Sequence, residues 1–498
     1  MKLYFSNLLA RLELVTFFKL LVERRRIMES LSIIYLIIPY IIFCATWLKP
    51  WAALASVLVI VFAFRSTILT YSGDVPKIEQ PKKRRKITFL AIGATLLLWT
   101  FFSGAGGFAP QTGDYLKHNA IYHDLITHQW PITYENGNGL AYYIGYYLPA
   151  SAIGKLTSPQ VADYFQLFWM TAGIFLVFYW LCRMTGKVRL WLALLLIGFS
   201  GMDIIAYVFF HQGFPSLGFL ALEWATSPDI GIWQYSSNTT SLYWTPQHAI
   251  AGWLITAMII SEFLEKKAKK NTLFLYSLMW LASPLIALWL IPFVLGLLVI
   301  DRRNWRSFVS FQNIVFPATM AIIVGLYYMT NIYKQPFGFI WEFIDFKGSL
   351  FLLVPFLLLE YGIYALLLRP YVKKEKKELR VLFYISILMF TIMPLFMYGL
   401  YNDQLMRGSI PALFILMVIM ARMFLAKGYK LRKVALVGCL VIGSFVPFYE
   451  LYNHLDIGKP KQNDWVSIEN NKTDLGTRNL QNQYYGNKDS LFYKLIAQ

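Results

Sequence analysis

The stretch that decides the fold is "WAALASVLVIVFAFRSTILT", residues 51–70. It is long enough to cross a hydrocarbon core of about 30 Å, and in lipid its backbone must satisfy its own hydrogen bonds as a helix. Comparable apolar runs recur along the chain, at residues 87–102, 161–181, 191–210, 351–368, 381–400 and 413–424. The sequence therefore predicts an all-α, polytopic transmembrane protein.

Composition supports the same class. Of the 498 residues, 57% are hydrophobic and only 15% are charged, which is typical of a chain whose solvent is lipid. The cysteines Cys44, Cys182 and Cys439 lie far apart, within or at the ends of apolar runs. Neither a disulfide framework nor a thiolate metal site is indicated.

The net charge of +19 comes from short basic loops between the apolar runs and not from one patch. These loops are residues 23–26, 82–86, 183–189, 266–270, 301–306, 372–380 and 427–433. By the positive-inside rule they face the cytoplasm, so the charge is a topology signal and no nucleic-acid partner is expected.

Successive cytoplasmic loops must be separated by an even number of crossings. This condition holds if residues 104–160 stay outside, with 139–156 lying along or dipping into the interface, and if 274–300 forms a hairpin of two short helices. We expect about 13 crossings of the plasma membrane, with the N-terminus cytoplasmic and the C-terminus extracytoplasmic.

The predicted organisation follows from these crossings. It comprises a cytoplasmic amphipathic segment at 1–30, two spans and a basic loop at 31–86, a transmembrane module at 87–330, further helices at 331–449 and an extracytoplasmic tail at 450–498. The outside loops, 104–160, 211–247, 331–348 and 401–408, are rich in aromatics, amides, acids and histidines. We therefore expect the chemistry on the outside.

The first outside loop contains "TGDYLKHNAIYHDL", residues 112–125. If residues 114–128 are helical, Asp114, Lys117, His118 and His128 lie within about 60° of one line. Such a face could supply a general base, with Asp114 and His118 as catalytic candidates, or ligate a divalent cation such as Mg²⁺ or Mn²⁺, for which Asp114 is the best candidate. A solvated interfacial helix remains the alternative.

The same loop also offers groups for a substrate. Lys117 could meet a phosphate, and Asp124 and His128 are further substrate-binding candidates. Asp203, in "GFSGMDIIAYVFF" (198–210), is a different case because it sits within an apolar run. Intramembrane carboxylates usually face a cavity or a partner, so Asp203 is a third catalytic candidate.

Later outside loops complete the candidate set. Residues 234–254 place Trp244, Gln247 and His248 at the mouth of a helix, a combination of aromatic and amide groups that suits a sugar. "YNDQLMRGSIP" (401–411) holds Arg407 near a helix start, where a guanidinium suits phosphate. Asp403 could orient Arg407, and Lys334 could add a second cation. The alternative is a surface Arg–Asp pair of small value.

This arrangement resembles the GT-C superfamily of integral membrane glycosyltransferases. The resemblance rests on a span that ends in a long first outside loop with "GDYLKHN" (113–119), followed by interfacial helices, a multi-span core and outside loops with an acid and an Arg. It covers residues 87–330 in layout, and the matching motif residue is the loop acid, Asp114. The sequence departs from the pattern in having two spans before the module and no paired Asp-Glu in the loop.

The resemblance implies transfer of a sugar from a polyprenyl-phosphate donor to a hydroxyl of a glycan, lipid or protein acceptor, outside the cytoplasm and among membrane lipids. Asp114 would be the base or lie next to a metal. Inversion at the anomeric carbon is expected, with Arg407 holding the lipid phosphate. The alternatives are a polymerase or ligase of lipid-linked glycans, and a lipid or polysaccharide flippase or transporter, for which Asp203 would be the coupling site.

Overall fold

A computed structural model of the chain describes residues 27–70, 78, 85–211, 223, 233–265, 271–344, 346–399, 401–455, 465–470 and 480–498. The predicted amphipathic segment at 1–30 lies, except for its last four residues, outside the described residues. The structure is 75% helical with almost no sheet. The predicted all-α class is therefore confirmed.

The described residues form long apolar helices joined by shorter, more polar ones. In the first half they are α1 (Ile27–Trp47), α2 (Pro50–Thr70), α3 (Arg85–Phe101), α4 (Tyr115–Thr127), α5 (Leu148–Leu156), α6 (Pro159–Thr185), α7 (Leu190–Gly198), α8 (Asp203–His211), α9 (Asn238–Trp244) and α10 (Pro246–Leu264). In the second half they are α11 (Thr272–Ser277), α12 (Pro284–Ile300), α13 (Phe311–Tyr328), α14 (Phe346–Leu357), α15 (Ile363–Val372), α16 (Lys377–Ile392), α17 (Asp403–Gly408), α18 (Ile410–Leu425), α19 (Lys430–Gly443) and α20 (Phe445–Asn453).

Four short strands form two antiparallel pairs among the described residues. Strand β1 (Gly139–Leu140) pairs with β4 (Tyr485–Gly486), and β2 (Phe337–Phe339) pairs with β3 (Phe396–Tyr398). Both pairs lie in segments that connect helices, so they fix loops and leave the helical core unchanged.

Nine helical segments of the described chain are long and apolar enough to cross a membrane, and two bent pairs raise the number to as many as 11. Helix α3 is a shorter apolar helix. Exposed apolar side chains such as Leu54, Leu58 and Phe62 line the outside of α2, as expected where lipid is the solvent. The chain is thus a helical membrane protein, whereas the expected total of about 13 crossings stays a prediction.

Two details of the predicted topology can be compared with the structure. Residues 139–156 form β1, a 3-10 turn and the nine-residue α5, none of which is long enough to span a membrane alone. The predicted hairpin at 274–300 is uneven, because α11 has only 6 residues and α12 has 17. Ser283 caps α12 by accepting a hydrogen bond from the backbone N–H of Ile286, so the break between the two helices ends at Ser283.

The long helices run between two faces of the molecule. At one face, which we call the basic face, Arg183 pairs with Glu29 and Glu265, and Arg422 pairs with Glu375. At the other, which we call the loop face, segments from the predicted outside loops meet. The assignment of each loop to one side of the membrane, and of one face to the cytoplasm, remains a prediction.

The described part of the predicted tail packs on the loop face. The backbone N–H of Ala141 donates to the carbonyl of Tyr484 at 2.8 Å, and that of Asn487 donates to the carbonyl of Thr330, also at 2.8 Å. At the chain end, the N–H of Lys49 donates to the carbonyl of Ile496. Residues 480–498 therefore form part of the loop face.

Two helices at the centre of the bundle carry site residues at their loop-face ends. Every residue of α10 is buried, and so is most of α18. Gln247 and His248 lie on the first turn of α10, while Arg407 lies on the short helix α17 just before α18. Because these helices are held on all sides, they give their first turns fixed positions.

Candidate functional site

A chain of opposite charges forms at the loop face, and we call Asp114, Lys117, Asp403 and Arg407 the charged cluster. Oδ2 of Asp114 lies 2.8 Å from Nζ of Lys117 and 3.9 Å from Nη2 of Arg407. Nη1 of Arg407 lies 3.0 Å from Oδ1 of Asp403. The cluster brings together residues that the sequence singled out in two separate loops.

Local backbone structure explains how each half of the cluster forms. Asp114 directly precedes α4, so Lys117 follows one turn later on the same side. Asn402 adopts the left-handed conformation (φ 55°) before α17, which then places Asp403 and Arg407 four residues apart on one face. Gly399 has φ 83°, and a Cβ there would collide with the carboxylate of Asp403.

The cluster opens toward solvent on one side. The exposed fraction of the side chain rises from 10% for Arg407 to 23% for Asp114 and 32% for Asp403. Burial opposes ionisation of Asp114, but the charges of Lys117 and Arg407 outweigh it and lower the pKa of the carboxyl. Asp114 is therefore an anion at neutral pH, held between two cations that an incoming anion could also bind.

His118 lies beside the cluster with both ring nitrogens engaged. Nε2 is 2.9 Å from the carbonyl oxygen of Trp244, which can only accept, so Nε2 carries the proton. Nδ1 then accepts a hydrogen bond from the hydroxyl of Tyr147. Burial, followed by the charge of Lys117, lowers the pKa of His118 to about 4. In this geometry the neutral ring holds α4 against the end of α9.

The first turn of α10 supplies the next two predicted residues. Nδ1 of His248 lies 2.7 Å from Oγ of Ser283, and its ring meets Tyr143 edge-on with centroids 5.2 Å apart. Gln247 is only 2% exposed, yet neither atom of its amide has a hydrogen-bond partner among the described residues. The two neighbours therefore differ: His248 is positioned by the protein, and Gln247 has unused hydrogen-bonding capacity.

Tyrosines that the sequence analysis did not select surround the cluster. The rings of Tyr142 and Tyr143 pack with centroids 4.5 Å apart, and Tyr142 meets Tyr484 from the tail at 4.9 Å. Asp114 and Asp403 both act on Tyr484 electrostatically, which places its ring next to the cluster. The dense run "AYYIGYY" (141–147) was the available signal for the first of these; nothing in the local sequence marked Tyr484.

Asp124 and His128 lie at the other end of α4 from Asp114. Asp124 is fully buried and accepts hydrogen bonds from the hydroxyl of Tyr134 at 3.0 Å and from the backbone N–H of Ile468 at 3.1 Å. The helix stops at Thr127, and His128 follows it with an extended backbone, its Nδ1 3.8 Å from Oδ1 of Asp124. A helix of 13 residues is about 20 Å long, so the structure groups His128 with Asp124 and not with Asp114.

Asp203 belongs to a different group, which we call the acidic cluster. It starts α8 after a break in the span, and its carboxylate acts on Glu360 and Glu223, all three being buried. Glu360 lies on a π-helical turn, and a Cβ at Gly201 would collide with its carboxylate. The structure thus places Asp203 in contact with other acids and not with the residues of the charged cluster.

The remaining candidates lie at the margins. The backbone carbonyl of Trp244 meets His118, while its indole N–H donates to Oε2 of the buried Glu450 at 3.4 Å. Lys334 is exposed in the connection before β2. Its predicted role as a second phosphate contact stays a prediction, and the cation that the structure places beside Asp114 and Arg407 is Lys117.

The described residues do not favour the predicted divalent cation. No group of three or more His, Cys, Asp or Glu side chains in the described ranges is arranged to hold a metal ion. Asp114, the best metal candidate from the sequence, faces two cationic side chains. A metal there would meet like charge, so these residues do not fit a divalent cation.

Comparison with known proteins adds no relationship. No protein family, curated protein or solved structure matches this chain. Its function is therefore inferred from the charged cluster and its surroundings.

Proposed function

We propose that the chain is a membrane glycosyltransferase that moves a sugar from a polyprenyl-phosphate donor to an acceptor hydroxyl, by chemistry of the GT-C type. The observation that carries the proposal is the approach of a carboxylate, Asp114, to a guanidinium, Arg407, at the end of a membrane-spanning bundle. A base and a phosphate-binding cation are the two groups that displacement of a lipid phosphate requires.

The cations are placed to share one anion. Lys117 and Arg407 both approach Oδ2 of Asp114, so an anion bound beside that atom would meet an ammonium and a guanidinium together. Arg407 is only 10% exposed and is oriented by Asp403 at 3.0 Å. A guanidinium fixed in this way suits two oxygens of a phosphate, because its fork of donors matches their spacing.

Binding of the donor would also change the base. In the unliganded protein, Lys117 and Arg407 keep the pKa of Asp114 low, and a carboxylate with a low pKa is a weak base. A phosphate that draws both cations away would raise the proton affinity of Asp114. The base thus becomes effective only when the donor is in place, which limits unproductive chemistry.

The proposed reaction is a single displacement. The acceptor oxygen attacks the anomeric carbon and gives its proton to Asp114. The bond from that carbon to the phosphate oxygen breaks, and its electron pair stays on the phosphate, next to Arg407 and Lys117. Attack from the side opposite the leaving group inverts the anomeric configuration.

The surroundings suit a sugar between the two reacting oxygens. Tyr142, Tyr143 and Tyr484 offer aromatic rings beside the cluster, and sugar rings present apolar C–H faces to such surfaces. The donor would arrive by lateral diffusion in the bilayer. By the positive-inside rule the reaction would occur on the extracytoplasmic side of the plasma membrane. A polymerase or ligase of lipid-linked glycans would use the same groups with a larger acceptor.

The test compares Asp114→Asn with the wild-type protein in proteoliposomes. Lipid extracts of cells lacking the protein supply the donor, since the unused sugar-linked polyprenyl phosphate should accumulate there. We expect Asp114→Asn to lose at least a hundredfold in turnover while folding and inserting normally. Asp489→Asn, a matched change at an exposed acid of the tail, should retain turnover. Unchanged turnover in Asp114→Asn would remove the proposed base.

One observation favours the transporter as a second candidate. The span formed by α7 and α8 is broken between Gly198 and Asp203 and bends by 41°, and the break faces buried Glu360. Interrupted helices with acidic side chains form ion sites in secondary transporters. If the chain is a transporter, Asp203→Asn should abolish proton uptake into proteoliposomes when the accumulated sugar lipid is added. If it is the proposed transferase, sugar transfer proceeds without such uptake.

A further inference from the structure

One face of the two-stranded sheet formed by β2 and β3 is aromatic along its length. Phe337 lies opposite Tyr398, and Phe339 lies opposite Phe396. Alternate residues of a strand point to the same side, and the ring centroids of the two pairs are 6.5 and 5.1 Å apart. Trp341 extends the row by stacking on Phe339, with centroids 4.5 Å apart. We call these five residues the aromatic ribbon.

The aromatic ribbon points away from the rest of the protein. Met397, on the opposite side of β3, is only 7% exposed, whereas Phe337 is 70% exposed, and Phe339 and Trp341 are exposed as well. Contiguous apolar patches are rare on surfaces that meet only water, and where they occur they usually mark an interaction site. The aromatic ribbon therefore has the character of an interaction surface.

The turn that follows β2 holds the row in place. This turn is a 3-10 helix, Ile340–Glu342, and the side chain of Ile340 is fully buried. The backbone N–H of Phe339 donates to Oε1 of Glu342 at 3.1 Å, and a Cβ at Gly338 would collide with the same carboxylate. Because the turn packs closely on the strand, the exposure of the rings is a fixed feature of the structure.

The position of the aromatic ribbon along the bundle favours lipid as its partner. Phe396 directly follows Lys377–Leu395, a segment long and apolar enough to cross a membrane, and β2 begins nine residues after another such segment, Phe311–Tyr328. The ribbon therefore connects the ends of two apolar segments. In a bilayer, this is the level at which hydrocarbon gives way to headgroups, and aromatic side chains with a polar tip, such as Trp and Tyr, are enriched there.

The apolar surface of a neighbouring helix continues toward the ribbon. Ile314 and Ile322 are exposed on α13, and Met329 is exposed just past its end. Ile332, in the connection to β2, is exposed too. Exposed apolar side chains on a helix that crosses a membrane face lipid. The surface that would meet lipid thus extends beyond the helix end to the segment that carries the rings.

We propose that the aromatic ribbon inserts into the interfacial layer of the bilayer, with its rings at the boundary between acyl chains and headgroups. The partner is therefore a lipid surface. The inference goes beyond glycosyl transfer, because it concerns how this connection meets the membrane and requires no reaction at Asp114.

Insertion of the ribbon has a consequence for the charged cluster. The backbone N–H of Gly399, directly after β3, donates to the carbonyl of Pro336 at 3.0 Å, and that of Tyr398 donates to Oδ1 of Asn402 at 3.4 Å. Asp403 follows Asn402 and begins α17. Lipid that holds the ribbon would therefore also fix the start of α17 close to the headgroup layer.

Spin labelling of the full chain in lipid nanodiscs, where both faces meet water, tests the proposal. Cys44→Ala, Cys182→Ala and Cys439→Ser remove the three native thiols, and Phe337→Cys supplies the labelling site. The readout is the ratio of the nitroxide's collision rate with oxygen to its collision rate with a water-soluble nickel chelate. Oxygen concentrates in hydrocarbon and the chelate stays in water, so a label at the interface should give a ratio roughly fivefold above that of a label in water.

Two control positions define the scale of this measurement. Leu58→Cys, on the exposed apolar side of α2, should give a high ratio, and Asn136→Cys, in an exposed polar turn of the loop face, should give a low one. We expect the ratio at Phe337→Cys to lie between the two. Trp341→Cys is a second reporter on the same ribbon, in case the first variant fails to fold, and it should give a similar intermediate ratio.

Two results would overturn the proposal. A ratio at Phe337→Cys or Trp341→Cys as low as that at Asn136→Cys would place the ribbon in water, as expected for a surface that stacks on a glycan. Slow collisions with both reagents would show that protein covers the ribbon, as in contact with a second copy of the chain. The measurement uses no donor and no acceptor, so its outcome is independent of the transfer reaction, and Asp114→Asn should give the same ratios.

Discussion

The guanidinium of Arg407 lies 3.9 Å from the carboxylate of Asp114, although the two residues come from opposite halves of the chain. Each has a closer partner of its own, Asp403 for Arg407 and Lys117 for Asp114. A surface ion pair contributes little to stability. Here, four alternating charges are gathered at the end of a bundle beside aromatic rings, and we propose that they serve anion binding.

Arg407 should bind the donor phosphate through its fork of donors. We expect Arg407→Ala to raise the KM for the donor more than tenfold, since losing one member of a buried charge pair costs roughly 2–5 kcal/mol. Arg407→Lys keeps the charge but not the geometry and should give an intermediate KM. Steady-state kinetics with varied donor measure both. Arg303→Ala, at an exposed arginine near the basic face, is the control. Equal KM values for the Ala and Lys variants would argue against two-point phosphate capture.

His118 should make stability depend on pH. Its pKa is lowered from 6.5 to about 4 in the folded protein, so between these values the unfolded chain binds more protons. Stability should therefore rise with pH through this window and level off above it, by up to about 3 kcal/mol at about 1.4 kcal/mol per pKa unit. Tm measured from pH 4 to 8 should show the slope in the wild type.

Two histidine variants, one on α4 and one at its end, test this pH dependence. His118→Gln should lose the His118 part of the slope even though its absolute stability also changes. His128→Gln, whose side chain is 31% exposed at the far end of α4, should retain the slope. If the Tm of His118→Gln depends on pH as strongly as the Tm of the wild type does, another group is responsible for the slope.

Asp124 should hold the tail onto the loop face. Asp124→Ala leaves the hydroxyl of Tyr134 and the N–H of Ile468 without their acceptor, which should destabilise the protein by about 2–4 kcal/mol. Limited proteolysis of this variant should then cleave the tail earlier than it cleaves the helices. Glu469→Gln changes a more exposed contact to the backbone of residues 135 and 136 and should have a smaller effect. A tail equally protected in Asp124→Ala would contradict the anchoring role.

Gly399 should be required for the position of Asp403. A Cβ at Gly399 would collide with that carboxylate and would also be strained at φ 83°, so Gly399→Ala should displace Asp403 and raise the KM for the donor. Gly137 has φ 81°, but a Cβ added there would have no neighbouring atom within 4 Å. Gly137→Ala therefore carries the backbone strain, of order 1–2 kcal/mol, without the collision. If both variants keep a normal KM, the position of Asp403 is not critical for donor binding.

Much of the architecture could be predicted because lipid constrains a sequence more strongly than water does. Runs such as 51–70 must be helical in a hydrocarbon core, and basic loops such as 183–189 mark one side. The same reasoning grouped Asp114, Trp244 and Arg407 on one face, and the structure brings them together. It did not predict that α4 ends at Thr127, which leaves His128 beside Asp124 and at the opposite end of the helix from Asp114.

By itself, the sequence determined that the chain is helical and apolar enough to span a membrane, because hydrophobic length acts locally, and it predicted from charge placement which loops share a side. Only the tertiary structure decided which polar residues meet. It joined Asp114 to Arg407, assigned Asp124 to the tail and Asp203 to Glu360, and brought Tyr484 to the site. Such pairings depend on how helices distant in sequence pack and where their turns point, and no local pattern encodes that.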